Sequence, residues 1–297
     1  MRKTLYLLAL SVIAAASAAA QESRAPLASD ARTRDVYVSV VDSKGAAVTG
    51  LTAAEFAVQE DGISREVVRA VPATGPLDLV ILVDDSQAAT AAIPHLRDGL
   101  TKFIERLHGK ASIGIVTVGE RPTSVAERTT DLDALKKGVS RIFARPGSGA
   151  YLLEGIMDVA RGLQKREVAR PVIVVLTLEG VEFSNAQAER VLKEVYASGA
   201  ALHVLTIGTP GGAMTDEIRN KNLVIAQGTE ATGGRREQLL AEMAIPGALG
   251  KLADELLNQY VVSYGRPEAL VPPEKIKVTV TRPGVTARAR TRLPGTR

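Results

Sequence analysis

Four short runs of apolar residues, separated by stretches of helical periodicity, limit what this chain can fold into more than any other feature. They are residues 79–83 (LVILV), 112–118 (SIGIVTV), 172–178 (VIVVLTL) and 201–207 (ALHVLTI). A strand covered on both faces reads as continuous apolar sequence, because neither row of side chains meets water. Residues 90–108 place Ile93, Leu96, Leu100, Phe103, Ile104 and Leu107 on one helical stripe. Residues 131–143 align Leu132, Leu135, Val139 and Ile142 in the same way, and 152–164, 185–197 and 247–259 also read as helices. Residues 123–129 suit a short edge strand, and Gly233-Gly234 a turn before a short strand at 235–240. Strands alternating with helices predict an α/β domain over 76–259: a doubly wound, mostly parallel, Rossmann-like sheet with right-handed crossovers.

The flanks have a different grammar. Residues 21–34 are polar and aperiodic, which suits a flexible leader. Residues 35–72 form an N-terminal β unit: a Val-rich strand at 35–41, a turn and strand within 51–60, a hairpin signal at Asp61-Gly62, and a returning strand over 63–71. Residues 260–297 return to strands at 260–264, 275–281 and 285–292. The economical arrangement pairs the two ends into one small β-sandwich with the α/β domain inserted between them. Two separate β appendages would give the same sequence.

Residues 1–20 (MRKTLYLLALSVIAAASAAA) begin with Arg2 and Lys3, continue through an apolar stretch and end in small residues. That is the pattern of a signal peptide cleaved after Ala20, and it predicts a secreted or periplasmic protein. No later stretch of sequence is long and apolar enough to span a bilayer. Cysteine is absent, so a lipid-anchored lipoprotein is not expected, and the chain has no disulfide, thiolate ligand or thiol nucleophile. Arg2 and Lys3 supply two of the four net positive charges, so the remainder is only weakly basic. Aromatic residues make up 3% of the chain. That leaves almost no stacking platforms for single-stranded nucleic acid, and no nucleic-acid partner is expected.

The stretch most open to chemistry follows the first apolar run, in Val83-Asp84-Asp85-Ser86-Gln87-Ala88. Ligands of open α/β sheets sit at the carboxyl ends of strands, and this loop lies at such an end. It resembles the first metal loop of the von Willebrand factor type A domain, an Asp-x-Ser-x-Ser motif. The resemblance implies a site for a divalent cation, usually magnesium, completed by a Thr from a second loop and an Asp from a third. A hard cation of that kind takes oxygen ligands. Asp84 and Ser86 match, whereas Ala88 stands where the second Ser belongs. The Thr position falls on Ala150, with Ser148 shifted by two residues. Glu179, before Gly180, replaces the third-loop Asp. The expectation is a degenerate metal-ion-dependent adhesion site built on Asp84, Ser86 and Glu179, with weak or absent cation dependence. Asp85 or Ser148 could stand in as ligands.

Blocks outside this loop carry the resemblance further. Asp42-x-x-Gly45-x-x-Val48-x-x-Leu51, Glu55-Phe56-x-Val58 and Glu60-Asp61-Gly62 are similar to the N-terminal β unit of the secreted, acidobacterial-type VWFA-related proteins. So are Leu252-Ala253-x-Glu255-Leu256-x-x-Gln259-Tyr260, Tyr264, Ile276-Lys277-Val278 and Arg288-x-Arg290.

Other candidate chemistry is sparse. His95, His108 and His203 lack metal-ligand spacing, and Glu154 and Asp158 read as a solvated helix face. There is no Gly-x-Ser-x-Gly elbow and no phosphate loop ending in Gly-Lys-Ser/Thr. Residues 208–212 (GTPGG) could hold an anion on backbone N–H groups, but they read better as a plain loop. Arg288, Arg290 and Arg292 alternate, so on a strand they share one face. That face suits either solvent or an anionic surface such as lipid head groups. The resemblance, with these catalytic motifs missing, implies a non-enzymatic, adhesion-type protein-interaction module that binds a protein through loops 84–88, 147–151 and 179–184. The alternatives are a structural envelope component assembled through its β-sandwich and, less favoured, an enzyme on the α/β scaffold.

Overall fold

The computed structural model describes residues 33–166, 168–211, 215–266 and 273–293. The signal-like segment and nearly all of the leader lie outside them. The chain enters through β1 (Thr33–Asp42), β2 (Phe56–Glu60), β3 (Ile63–Arg65) and β4 (Val67–Pro72). The β2–β3 turn is Asp61-Gly62, with φ of 46° and 82°, the doubly left-handed pair that a tight hairpin requires. The single strand expected over 63–71 is divided. Its first part pairs with β2, and its second crosses to another sheet.

The α/β portion follows as β5 (Leu77–Val83), α1 (Ile93–Leu107), β6 (Ala111–Thr117), β7 (Thr123–Thr129), α2 (Leu132–Ser140), α3 (Leu152–Arg166), β8 (Pro171–Leu178), α4 (Ala188–Ser198), β9 (Ala201–Ile207), α5 (Asp216–Thr232), β10 (Arg236–Leu239) and α6 (Ile245–Leu257). Its six strands lie in the order β10-β9-β8-β5-β6-β7, parallel except for the edge strand β7. Alternate side chains of β5 feed two cores. Leu79, Ile81 and Val83 pack with α1, α2 and α6, while Val80 and Leu82 pack with α3, α4 and α5. All seven residues of β5 are buried, so the continuous apolar run is the record of two covered faces.

Helix α5 was not legible as a helix. Its sequence is polar around most of its circumference, so the apolar stripe is faint. Its ends carry the signal instead. The Thr215 hydroxyl accepts from the Ile218 N–H, and Gly233 closes the helix in the left-handed conformation.

The last strands are β11 (Tyr260–Gly265), β12 (Ile276–Val280) and β13 (Val285–Ala289). They pair with the first strands: one sheet runs β13-β1-β11-β4 and the other β12-β2-β3. Val38, Val40, Phe56, Val58, Val262 and Ile276 from both sheets share one core. The chain is therefore mixed α/β, a largely parallel sheet flanked by smaller antiparallel ones.

The alternating arginines correct the sequence reading. Arg288 bonds buried Glu255 of α6 at 2.8 and 3.1 Å, Arg290 donates to the Gly199 carbonyl at 2.6 Å, and the Arg292 guanidinium lies 5.4 Å from the Tyr196 ring centre. Arg288 and Arg290 turn toward the α/β portion rather than presenting an outward face, while Arg292 stays exposed beside Tyr196 of α4. Among the described residues no helix is long and apolar enough to cross a membrane.

Candidate functional site

The chain passes outward from β5 to β6 and β7, then crosses back to β8, β9 and β10 on the other side. The carboxyl ends of β5 and β8 therefore form the topological switch point, the place where open α/β sheets bind ligands. The loops expected to matter, 84–88, 147–151 and 179–184, all emerge at this end.

Asp84 is fully buried. One carboxylate oxygen accepts the Ser86 N–H at 2.9 Å; the other accepts the Leu178 N–H at 3.1 Å and the Thr177 hydroxyl at 3.4 Å. Both oxygens thus hold the β5 and β8 loops together. Asp85 does the same on the other side. It accepts the Gly119 N–H at 2.6 Å and pairs with the Arg145 guanidinium at 2.9 Å. A Cβ at position 119 would stand 2.5 Å from the Asp85 oxygen, so only glycine admits that carboxylate. Arg145 also reaches Glu120 at 3.1 Å, and these two acids hold its pKa above the ordinary arginine value.

The vacated ligand positions are closed by packing. The Ala88 methyl faces Gly180, where an added Cβ would come within 2.8 Å of it. Ala150 is buried and bridges Glu182 through the backbone. The Ser148 hydroxyl donates to the Arg145 carbonyl at 2.8 Å, and the Gln87 side chain accepts the Gly147 N–H at 2.8 Å. Glu179 accepts from Gln238 of β10 at 3.5 Å, across β9 and away from the β5 loop that carries Asp84 and Ser86. Glu179 is thus engaged apart from Asp84 and Ser86, which are tied to each other through the Ser86 N–H. Asp85 and Ser148 are likewise committed to protein partners. Among the described residues no group of three or more His, Cys, Asp or Glu side chains is placed to hold a metal ion. The donor set does not make an intact divalent-cation site.

Two further residues of this end gave no distinct sequence signal. Glu182 is buried at the start of α3, where one oxygen accepts the Leu152 N–H at 3.1 Å and the Ser184 N–H at 3.3 Å, while the other has no hydrogen-bond partner. Burial pushes its pKa up to about 7, against the Ser184 bond and the nearby charge of Lys221, which favour the ionised form. Phe183 is 45% exposed; it lies over Gly149 and 5.9 Å from the Tyr151 ring. With Gly119, Glu120 and Pro146 these residues wall a shallow cavity of about 250 Å³. Phe143, Val181, Leu240 and Met243, the last in a 3-10 turn, are also large, apolar and exposed at this end of the sheet.

A doubly wound, largely parallel sheet with a switch point between its two central strands defines a class of α/β domains. Within it, this chain belongs to the von Willebrand factor type A domain family, whose model matches residues 78–230. Among solved structures it is similar to a von Willebrand factor type A protein from Catenulispora acidiphila, at 11% identity and a TM-score of 0.53, over 89% of this chain and 75% of that one. It is also similar to proximal thread matrix protein 1 from the mussel byssus, in a form with a zinc-occupied metal-ion-dependent adhesion site. That match has 13% identity and a TM-score of 0.52, over 67% of this chain and 50% of that one. At such identities the likeness shows the fold alone. No curated protein matches at the sequence level.

Proposed function

We propose that this protein is a non-enzymatic interaction module that binds a protein partner through the switch-point end of its parallel sheet, without a bridging cation. The observation that carries the reading is the character of that end. Its loops are closed by the chain's own bonds, and it presents Phe143, Val181, Phe183, Leu240 and Met243 to solvent. Exposed apolar groups around a polar cleft are the usual anchors of protein interfaces. A cation-bridged interface would instead need free oxygen ligands, and Asp84 and Asp85 have theirs engaged. The proposed location is secreted or periplasmic, following cleavage after Ala20; amino-terminal sequencing of the exported protein should begin at Gln21.

The test immobilises the wild-type protein and a Val181→Ser/Phe183→Ser variant and exposes both to extracytoplasmic proteins of the source cell. A specific partner should be retained in the presence of a chelator and lost by the double variant. Release of that partner by the chelator, or its full retention by the variant, would sink the reading.

A further inference from the structure

A cavity of about 460 Å³ lies at the opposite end of the sheet, between the amino ends of β8 and β9 and the strands β1, β11 and β13. Its volume falls in the range of small-molecule sites, ~300–1,000 Å³. Arg34, Arg170, Arg266, Arg288 and Arg290 all contribute to its wall. The only acid among the described lining residues is Asp35, which is exposed and accepts the Ser263 hydroxyl at 2.6 Å.

The five guanidinium groups are not equivalent. Arg288 is matched by Glu255, and Arg266 lies 3.8 Å from Glu60. Arg170 is 6% exposed, yet its bonds run to neutral oxygens alone: the carbonyls of Gly75 at 2.6 Å, Leu256 at 3.0 Å and Ala73 at 3.5 Å, and the Gln259 side chain at 2.8 Å. Its Nε has no hydrogen-bond partner. Arg290 donates to the Gly199 carbonyl. Burial pulls both groups below the ordinary arginine pKa, and the only groups opposing this are the phenols of Tyr37 and Tyr264, which are neutral near neutral pH.

Two of the accepting carbonyls belong to helix ends, Gly199 after α4 and Leu256 in the last turn of α6. A helix terminus offers roughly half a negative charge. That is less than one guanidinium carries, and a buried charge without a full counter-charge is costly. An oxyanion in the cavity would supply the balance, accepting from the Arg170 Nε–H, the one donor of that group without a partner, and from the Arg290 guanidinium, of which only one nitrogen is engaged, by Gly199. Val168, Pro171 and Leu293 add apolar wall. We infer that this cavity binds a small organic oxyanion, a carboxylate or phosphate ester with a compact apolar body, through Arg170 and Arg290, with Arg34 at its exposed rim.

The experiment titrates the full purified protein with inorganic phosphate, phenyl phosphate and benzoate, each against sodium chloride at equal ionic strength. Binding heat and melting temperature are both read. The three probes separate a free ion from a phosphate ester and from a carboxylate. At least one should bind saturably and raise the melting temperature beyond the chloride control. Arg290→Gln should weaken that binding at least tenfold. Arg34→Gln, which removes a solvent-exposed charge and should leave folding intact, should weaken it by a smaller factor. Arg141→Gln, at the far end of the sheet, should leave it unchanged. The inference is overturned if no probe exceeds chloride, or if Arg290→Gln and Arg34→Gln both bind as Arg141→Gln does.

Discussion

The two ends of the parallel sheet handle buried charge in opposite ways. At the carboxyl end the buried charges are mostly acids, and the chain supplies their counterparts: backbone N–H groups and a hydroxyl for Asp84, an N–H and Arg145 for Asp85. At the amino end, arginines dominate. Acids satisfy two of them: Glu255 bonds Arg288 at 2.8 Å and Arg235 at 3.4 Å, and Glu237 bonds Arg235 at 2.6 Å, while Arg170 and Arg290 donate hydrogen bonds only to neutral oxygens, with the Tyr37 ring 5.1 Å from the Arg170 guanidinium. Where the charge is closed internally, the side chains serve the fold, and what remains exposed is apolar surface. Where it is left open, the molecule is arranged for an anion. The end that the family uses for a cation is thus the closed one here.

The largest effect should come from opening a closed cluster. Glu255→Gln keeps the volume but removes the counter-charge of Arg288, 25% exposed, and the more distant of the two on Arg235, 8% exposed, which keeps Glu237 at 2.6 Å. Removing one partner of a buried ion pair costs about 3–5 kcal/mol. Urea unfolding of Glu255→Gln should show a loss near the lower figure, because glutamine still accepts a hydrogen bond. A loss under about 1 kcal/mol would mean the cluster behaves as a surface pair, and the contrast with Arg170 would lose its meaning.

A pH titration probes both ends at once. Glu182, near the carboxyl end, has a folded-state pKa of about 7 against an ordinary 4.5, mainly because it is buried. The folded chain keeps a proton that the unfolded chain has released, so this contribution is complete below pH 4.5 and is lost as pH rises through 7. His203 starts near the amino end of β9, fully buried. Its Nδ1 accepts the Arg235 N–H at 3.0 Å, and its Nε2 has no partner. Burial lowers its pKa from 6.5 to about 4, so its contribution is complete above pH 6.5 and is lost as pH falls through 4. Each is worth up to about 3 kcal/mol. Between pH 4.5 and 6.5 the two slopes oppose each other, and wild-type stability should be nearly flat. Glu182→Gln should expose the histidine, so that stability rises with pH across that window. His203→Asn should expose the glutamate, so that stability falls. A curve as flat in Glu182→Gln as in the wild type would contradict the assignment of these protons.

How much of this could be read from the chain depended on whether a feature was local. The sheet was legible because β5, β8 and β9 each carry a continuous apolar run, and because α1 to α4 and α6 show a clear stripe. The β2–β3 turn was legible because Asp61-Gly62 is local chemistry. Helix α5 was missed because its face toward the sheet is narrow. The lost oxygens at Ala88 and Ala150 were also visible, since a resemblance names positions. What replaces them was not. Arg145 lies 60 residues from Asp85, and Glu182 reaches α3 across 30, so their meeting is a product of the fold with no trace in spacing. The alternating Arg288, Arg290 and Arg292 show the same limit. Period two placed them on one face, but only the docking of β13 against the α/β portion decides whether that face meets water or Glu255.

The smallest expected effect concerns the loop that first drew attention. Asp84→Asn should cost about 1–3 kcal/mol, because an amide turned toward the N–H groups of Ser86 and Leu178 leaves one of those donors unpaired. Magnesium or manganese, by contrast, should shift the melting temperature no more than sodium chloride at equal ionic strength, in the wild type as in Asp84→Asn. The reason is a comparison of cations already present. The Arg145 guanidinium sits 2.9 Å from Asp85 and is fixed by the chain, so it contributes at any solution composition. A divalent ion would have to displace the donors on Asp84 and find replacements for two missing hydroxyls, with water as its main remaining ligand. A ligand that binds only the native state stabilises it in proportion to the logarithm of its concentration over its dissociation constant. A saturable rise in the wild type that disappears in Asp84→Asn would therefore show that a cation does win this competition. The carboxyl end of the sheet would then be open to a counter-charge, as the amino end is.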